Sequence, residues 1–230
     1  HILYFAMRTP ATGGKHDVWA IDTWKEHVDT INAKGLPVEG ASCDRTVRVN
    51  ATTDAGKAKT VACGACHGAD GNSLAPTFPK LAGQHAGYLL KQLKDIKSGA
   101  RSVPTMAGQL DAMTDQDLED IAAYFAAQTA TPGAAREELV ELGESVYRAG
   151  IREKGVAACT SCHSPTGAGN GPARFPALSG QHADYIAVQL RAFRNDERTN
   201  DGDTRIMRDV ASRLSDKELD AVASYASGLH

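Results

Sequence analysis

No run of 18 apolar residues occurs in the 230-residue chain, so nothing in it is long enough to cross a bilayer as a helix. Aromatic residues are sparse, at 6% of the total. Charge of one sign is not gathered either. The 25 Lys and Arg are outnumbered by 28 Asp and Glu, and no basic patch is present, which excludes nucleic acid as a partner. No stretch carries a strand signal worth naming, so the expected fold class is all-α. Sulfur is scarce too, with five cysteines and four methionines.

Four of those cysteines fall in two short motifs. Cys63-Gly64-Ala65-Cys66-His67 and Cys159-Thr160-Ser161-Cys162-His163 both read C-x-x-C-H, the attachment signature of a c-type haem. Cysteines at i and i+3 share one side of a helical turn, from which both sulfurs form thioethers to one porphyrin. The histidine that follows is placed to be the proximal iron ligand. Two covalently attached haem c groups are therefore expected. They would also supply core to domains too small to bury much apolar area alone.

The motifs belong to a longer repeat. Phe78-Pro79-Lys80-Leu81-Ala82-Gly83-Gln84-His85, then Tyr88, Gln92 and Leu93, answers to Phe175-Pro176-Ala177-Leu178-Ser179-Gly180-Gln181-His182, then Tyr185, Gln189 and Leu190. The offset is 96 residues at the cysteines, 97 from the proline onward, and 101 at Met106/Met207 and Tyr124/Tyr225. One residue is thus inserted early in the second copy and four more within residues 195–204. Such internal similarity marks a tandem duplication. The expected parts are an extension over 1–50, a first haem domain over 51–130 and a second over 131–230, with residues 129–133 as linker.

Helical spacing of Val18, Ile21, Val28 and Ile31, with Trp24 on the same side, predicts an amphipathic helix from Asp17 to Lys34, stopped by Gly35 and Pro37. Further helices are expected over 54–65, 84–98, 114–128, 136–150 and 215–228. Thr114 and Asp117 form a capping-box pattern at the start of one of them. A Gly- and Pro-rich loop over 68–83 is expected to wrap the first haem.

A c-type iron with one histidine needs a sixth ligand or stays open to chemistry. Of Met7, Met106, Met113 and Met207, only Met106 and Met207 hold equivalent repeat positions, each in a stretch read as the loop before the last helix. His67/Met106 and His163/Met207 are the expected ligand pairs, and a thioether favours ferrous iron. Met113 aligns with Leu214 and reads as packing. His85 and His182 are open to two readings: alternative iron ligands, or hydrogen bonding to a helix N-terminus or a propionate. Pro79 and Pro176 are expected to present the carbonyls that fix the proximal imidazoles. Tyr88 and Tyr185 read as lining a haem edge or the domain interface, with core packing as the other possibility. Cys43, outside both motifs, reads as an inert thiol.

In these pieces the chain resembles the cytochrome c4 family, over about residues 54–230. The carriers of the resemblance are Cys-x-x-Cys-His-Gly-Ala-Asp-Gly-Asn, the two Phe-Pro-x-Leu-x-Gly-Gln-His runs, Pro-Thr-Met-Ala and the closing Gly-Leu-His. The resemblance implies two cytochrome c domains whose haems approach each other across a pseudo-twofold interface. It implies no catalytic residue, but electron transfer from the cytochrome bc1 complex to a terminal haem-copper oxidase, often of the cbb3 type. Because c-type cytochromes mature outside the bacterial cytoplasmic membrane, it also implies the periplasm or the periplasmic face of the inner membrane. The chain begins at His1 with no leader visible, so either a leader has been removed or further residues precede it.

Two other functions compete. A di-haem peroxidase or thiosulfate dehydrogenase also carries two such motifs but needs an open iron or an unusual ligand, whereas a matched methionine is available here for each. Zinc held by the two cysteine pairs would leave the repeated histidines and methionines without a role. The extension departs from the family pattern. Its apolar Ile2–Met7 run reads as the tail of a longer membrane helix, and residues 1–45 have two readings: a dock on a membrane complex, or a helix folded back on the protein's own haem domain.

Overall fold

The computed structural model describes residues 4–8, 17–21, 25–38, 45–47, 50–52 and 54–230 of the chain, which divides into two units, His1–Ala62 and Cys63–His230. In the first unit β1 (Tyr4–Arg8) pairs antiparallel with β2 (Asp17–Ile21), setting Tyr4 opposite Ile21. Helix α1 (Lys25–Lys34) follows, burying Val28 and Ile31. It stops at Gly35, whose φ of 86° lets its N–H reach Ile31 O at 2.8 Å. Strands β3 (Leu36–Val38) and β4 (Arg45–Val47) pair antiparallel, while β5 (Asn50–Thr52) lies parallel to β2.

This unit corrects three expectations. Strands form where no strand signal was read. The Asp17–Lys34 helix survives only from Lys25, its first part being β2. The Ile2–Met7 run, read as the tail of a membrane helix, contributes Tyr4–Met7 to β1. Five-residue apolar stretches fit strand and helix periods equally well, and pairing with a distant strand decides between them. No helix among the described residues is long and apolar enough to cross a membrane. Trp24 and Cys43 lie outside the described residues.

From residue 54 to 230 the regular structure is helical, apart from two isolated β-bridges, Ile151–Val156 and Asn170–Phe175. The helix expected over 54–65 is two: α2 (Ala55–Lys59), capped by Asp54 accepting from Lys57 N–H at 3.0 Å, and α3 (Val61–His67). The first copy continues with α4 (Ala86–Ser98) and α5 (Asp115–Ala126). The second comprises α6 (Val140–Ala149), α7 (Thr160–His163), α8 (Ala183–Arg194), α9 (Ile206–Ala211) and α10 (Asp216–Ser227).

Both closing helices start from a reciprocal capping box, Thr114 with Asp117 and Ser215 with Glu218. Each such box satisfies N–H groups that the helix cannot bond itself. In the first copy Leu89 packs with Ile121, Ala122 and Phe125 of α5. In the second, Leu219, Val222 and Tyr225 of α10 pack with Val146 and Tyr147 of α6 and Ile186 of α8. Met113 packs against the first core and Leu214 lies within the second, the packing role that their alignment predicts.

Candidate haem sites

Each copy keeps a large apolar-walled cavity beside its C-x-x-C-H segment. The first, about 640 Å³, is lined by Cys63, Cys66, His67 and Met106. The second, about 470 Å³, is lined by Cys159, Cys162, His163 and Met207. Both fall in the ~300–1,000 Å³ range of cofactor sites. Each cavity thus gathers one expected set of two sulfurs, an imidazole and a thioether. Zinc would need the four sulfurs together, and they line two different cavities.

The imidazoles are set by a repeated device. Helix α3 ends at His67 and α7 at His163, both 7% exposed. His67 Nδ1 lies 2.8 Å from Pro79 O, and His163 Nδ1 lies 2.9 Å from Pro176 O. A carbonyl oxygen only accepts, so Nδ1 carries the proton and Nε2 keeps the lone pair that binds metal. Burial pushes both imidazoles below their ordinary pKa, and the carbonyl recovers part of that shift. Neutral imidazole is the form that coordination requires. Burial also pushes the Cys159 thiol up to about 11, which suits a neutral or thioether sulfur rather than a thiolate.

The methionines are presented differently in the two copies. Met106 ends a 3-10 turn, Pro104–Met106. Met207, expected in a loop, sits in the first turn of α9.

The rest of the Phe-Pro-x-Leu-x-Gly-Gln-His repeat joins the copies to each other. Gln84 Nε2 donates to Ala177 O (2.9 Å) while its Oε1 accepts from Ala177 N (2.9 Å). Gln181 does the same to Lys80, donating to its O (2.8 Å) and accepting from its N (2.9 Å). His85 Nε2 pairs with Ala168 O at 2.8 Å and His182 Nε2 with Ser73 O at 2.9 Å, each in the opposite copy. Neither histidine side chain caps its helix. The repeated histidines are interdomain links, a role that neither sequence reading included. The glycine before each glutamine is needed for its backbone: Gly180 has φ 72°, and a Cβ there would meet Thr131 O at 2.7 Å.

A second reciprocal network lies on the walls of both cavities. Arg101 donates to Gln92 of its own copy (2.8 Å) and to Tyr185 OH and Gln189 of the other (2.9 Å each). Arg198 mirrors it, donating to Gln189 (2.8 Å), Tyr88 OH (3.2 Å) and Gln92 (2.9 Å). Burial raises the Tyr88 phenol, but Arg198 and Arg101 outweigh it and hold it below its ordinary pKa. Tyr88 and Tyr185 therefore belong to the interface.

Sequence reasoning missed both arginines, although Arg101 and Arg198 stand at the same 97-residue offset as Gln92 and Gln189. Each is 8% exposed, and neither forms an ion pair with a carboxylate among the described residues. Buried cations call for an anionic partner. A haem carries two carboxylates, so the charge as well as the donor set fits that group.

Known proteins agree with this reading. A family model described as cytochrome c matches residues 54–128 and again 140–229. Cytochrome c4 of Azotobacter vinelandii is 56% identical over 185 residues, covering 76% of this chain and 88% of that protein. The crystal structure of reduced recombinant cytochrome c4 from Pseudomonas stutzeri superimposes with a TM-score of 0.76 at 54% identity, covering 78% of this chain and 99% of that one. A thiosulfate dehydrogenase electron acceptor of Stutzerimonas stutzeri is 43% identical over 169 residues, covering 72% of this chain and 77% of that protein. The chain belongs to the cytochrome c4 family of periplasmic di-haem c-type cytochromes, which are electron-transfer proteins and not enzymes.

Proposed function

We propose that Cys63 and Cys66 attach one haem and Cys159 and Cys162 the other, with His67/Met106 and His163/Met207 as the two axial pairs. The observation that carries this is the sorting of all eight side chains into two cavities, one full set in each. Bound haem c supplies a one-electron ferric/ferrous couple. The chain's own work is to hold it: Pro79 and Pro176 fix the imidazole tautomer, and the buried guanidiniums balance negative charge. Residues 1–50, 51–130 and 131–230 are taken as the three functional parts.

As a donor and acceptor pair we assign the cytochrome bc1 complex and a terminal haem-copper oxidase of the cbb3 type, on the strength of the family resemblance. A second donor, a thiosulfate dehydrogenase, is supported by the name of the Stutzerimonas stutzeri relative. This retains a carrier role and differs from a dehydrogenase or peroxidase activity, which the paired methionines disfavour. The membrane tether expected of the extension is not carried forward, since Tyr4–Met7 lies in β1.

The ligand assignment is tested with Met106→Ala and Met207→Ala. Each variant should keep both haems, lower the potential of one, and gain one carbon monoxide site in the reduced state. A variant that stays low-spin, silent to carbon monoxide and unchanged in potential refutes its pair. Stopped-flow reduction by each purified donor decides between the bc1 complex and the dehydrogenase.

A further inference from the structure

The second copy holds more chain than the first between its buried arginine and its methionine. The offset grows from 97 at Arg101/Arg198 to 101 at Met106/Met207, so the extra residues fall between Arg198 and Met207. They are fastened at both ends. Asn200 Nδ2 donates to Gln92 (3.0 Å) and Asp95 (2.6 Å) on α4, and its carbonyl accepts from Lys91 Nζ at 2.8 Å. Beside it, the Asp201 side chain is 6% exposed and accepts twice from Arg208, from the backbone N–H at 3.0 Å and from Nε at 2.7 Å. Arg208 also donates to Gly202 O at 3.0 Å, and its side chain is 11% exposed. Arg208 is the residue directly after Met207.

The first copy has no such device. Ala107 stands where the second copy has Arg208, at the 101-residue offset, and cannot form the pair. Met106 is held by turn hydrogen bonds, its own N–H to Val103 O (2.8 Å) and Gln109 N–H to its carbonyl (3.1 Å). Releasing Met207 from an iron by moving the start of α9 requires breaking charge-assisted bonds in a nearly closed site. Releasing Met106 requires only opening a turn.

We propose that Asp201 is a positioning residue that braces Met207 through Arg208, so that the second methionine is harder to displace than the first. This rests on the reading of Met106 and Met207 as iron ligands. Loss of a hydrogen bond to a charged group corresponds to a change of about tenfold or more in such an equilibrium.

The test is imidazole titration of the ferric holoprotein, followed by loss of the sulfur-to-iron charge-transfer absorption. Wild type should lose it in two phases separated by about tenfold or more in imidazole. Met106→Ala should retain only the high-concentration phase, and Met207→Ala only the low one. Asp201→Asn should move the high phase toward the low one and leave the low phase unchanged, with haem content and far-ultraviolet dichroism as for wild type. Arg208→Lys, which keeps the charge but removes the Nε donor, should act in the same direction and serves if Asp201→Asn does not fold. If Met207→Ala has lost its share of the absorption but neither variant shifts the high phase, the brace is refuted. If Met207→Ala keeps the full absorption, Met207 is not a ligand, and the brace falls with that assignment.

Discussion

Replacing Gln84 and Gln181 by alanine tests the interface at its most symmetrical point. Each side chain makes two hydrogen bonds to the backbone of the other copy, at 2.8–2.9 Å. At about 1 kcal/mol net per bond, one substitution costs about 2 kcal/mol and both together about 4 kcal/mol, because the two sites share no partner. The backbone groups of Lys80 and Ala177 also lose their partners, which makes these values lower bounds. With an m-value of about 2 kcal/mol/M in urea, the double variant should unfold about 2 M earlier than wild type. Its two haem domains should also separate into distinct transitions, read by haem absorbance and far-ultraviolet dichroism. Gln116→Ala is the control, since the Gln116 side chain donates to Asp120 of its own helix on the exposed face of α5. If the double variant unfolds like that control, in one transition, the glutamines do not hold the copies together.

Two further outcomes follow from single groups. The intact mass should exceed the polypeptide by two haems after denaturation, because both C-x-x-C-H segments are complete; acid–acetone extraction that strips the haem would show the attachment to be non-covalent. Burial would raise the Glu218 carboxyl, but Lys154 and the Ser215 donors outweigh it and hold it at about 2 against an ordinary 4.5. Its folded value is the lower one, so its contribution is complete above pH 4.5 and disappears as pH falls toward 2. Glu218→Gln should therefore destabilise by about 1 kcal/mol at neutral pH and by progressively less in acid. A difference from wild type that does not change with pH in urea titrations contradicts this.

What the sequence made legible is what the duplication repeats. The haem segments, the prolines and the position of the paired methionines on the cavity walls were readable because a residue kept at one offset in both copies is constrained twice, and the α5 cap because Thr114 and Asp117 carry a local capping-box pattern. Gln84 and His85 were visible in the same way, but their role was not. Their partners are backbone atoms of the opposite copy, about 90 residues away, and a backbone atom leaves no mark in the sequence. The first unit failed for a different reason. It has no second copy, and its stretches were assigned one by helical spacing and the other by its apolar run, whereas pairing between Tyr4–Arg8 and Asp17–Ile21 makes them strands. Arg101 and Arg198 were overlooked because long basic side chains are mostly exposed, and only the fold shows these two buried.

The interface and the histidines proposed as iron ligands meet at one peptide unit in each copy. Pro79 O holds the His67 imidazole, and the next N–H in the chain, that of Lys80, is held by Gln181 of the other copy. Pro176 and Ala177 repeat the arrangement with His163 and Gln84. The carbonyl of residue 79 and the N–H of residue 80 belong to one planar group, so they cannot tilt independently. Docking of the copies therefore restrains the orientation of each proximal imidazole, and hydrogen bonding to that imidazole is a lever on the iron's electron affinity. The same glutamine exchange that loosens the interface should shift both reduction potentials, each through the haem of the opposite copy. Gln181→Ala alone should move the potential of the His67 site more than that of the His163 site, and Gln84→Ala the reverse. Redox titration with the two haems resolved by their separate Met→Ala variants reads this crossing directly. Potentials that shift only within the mutated copy would show that the peptide unit does not transmit docking to the iron.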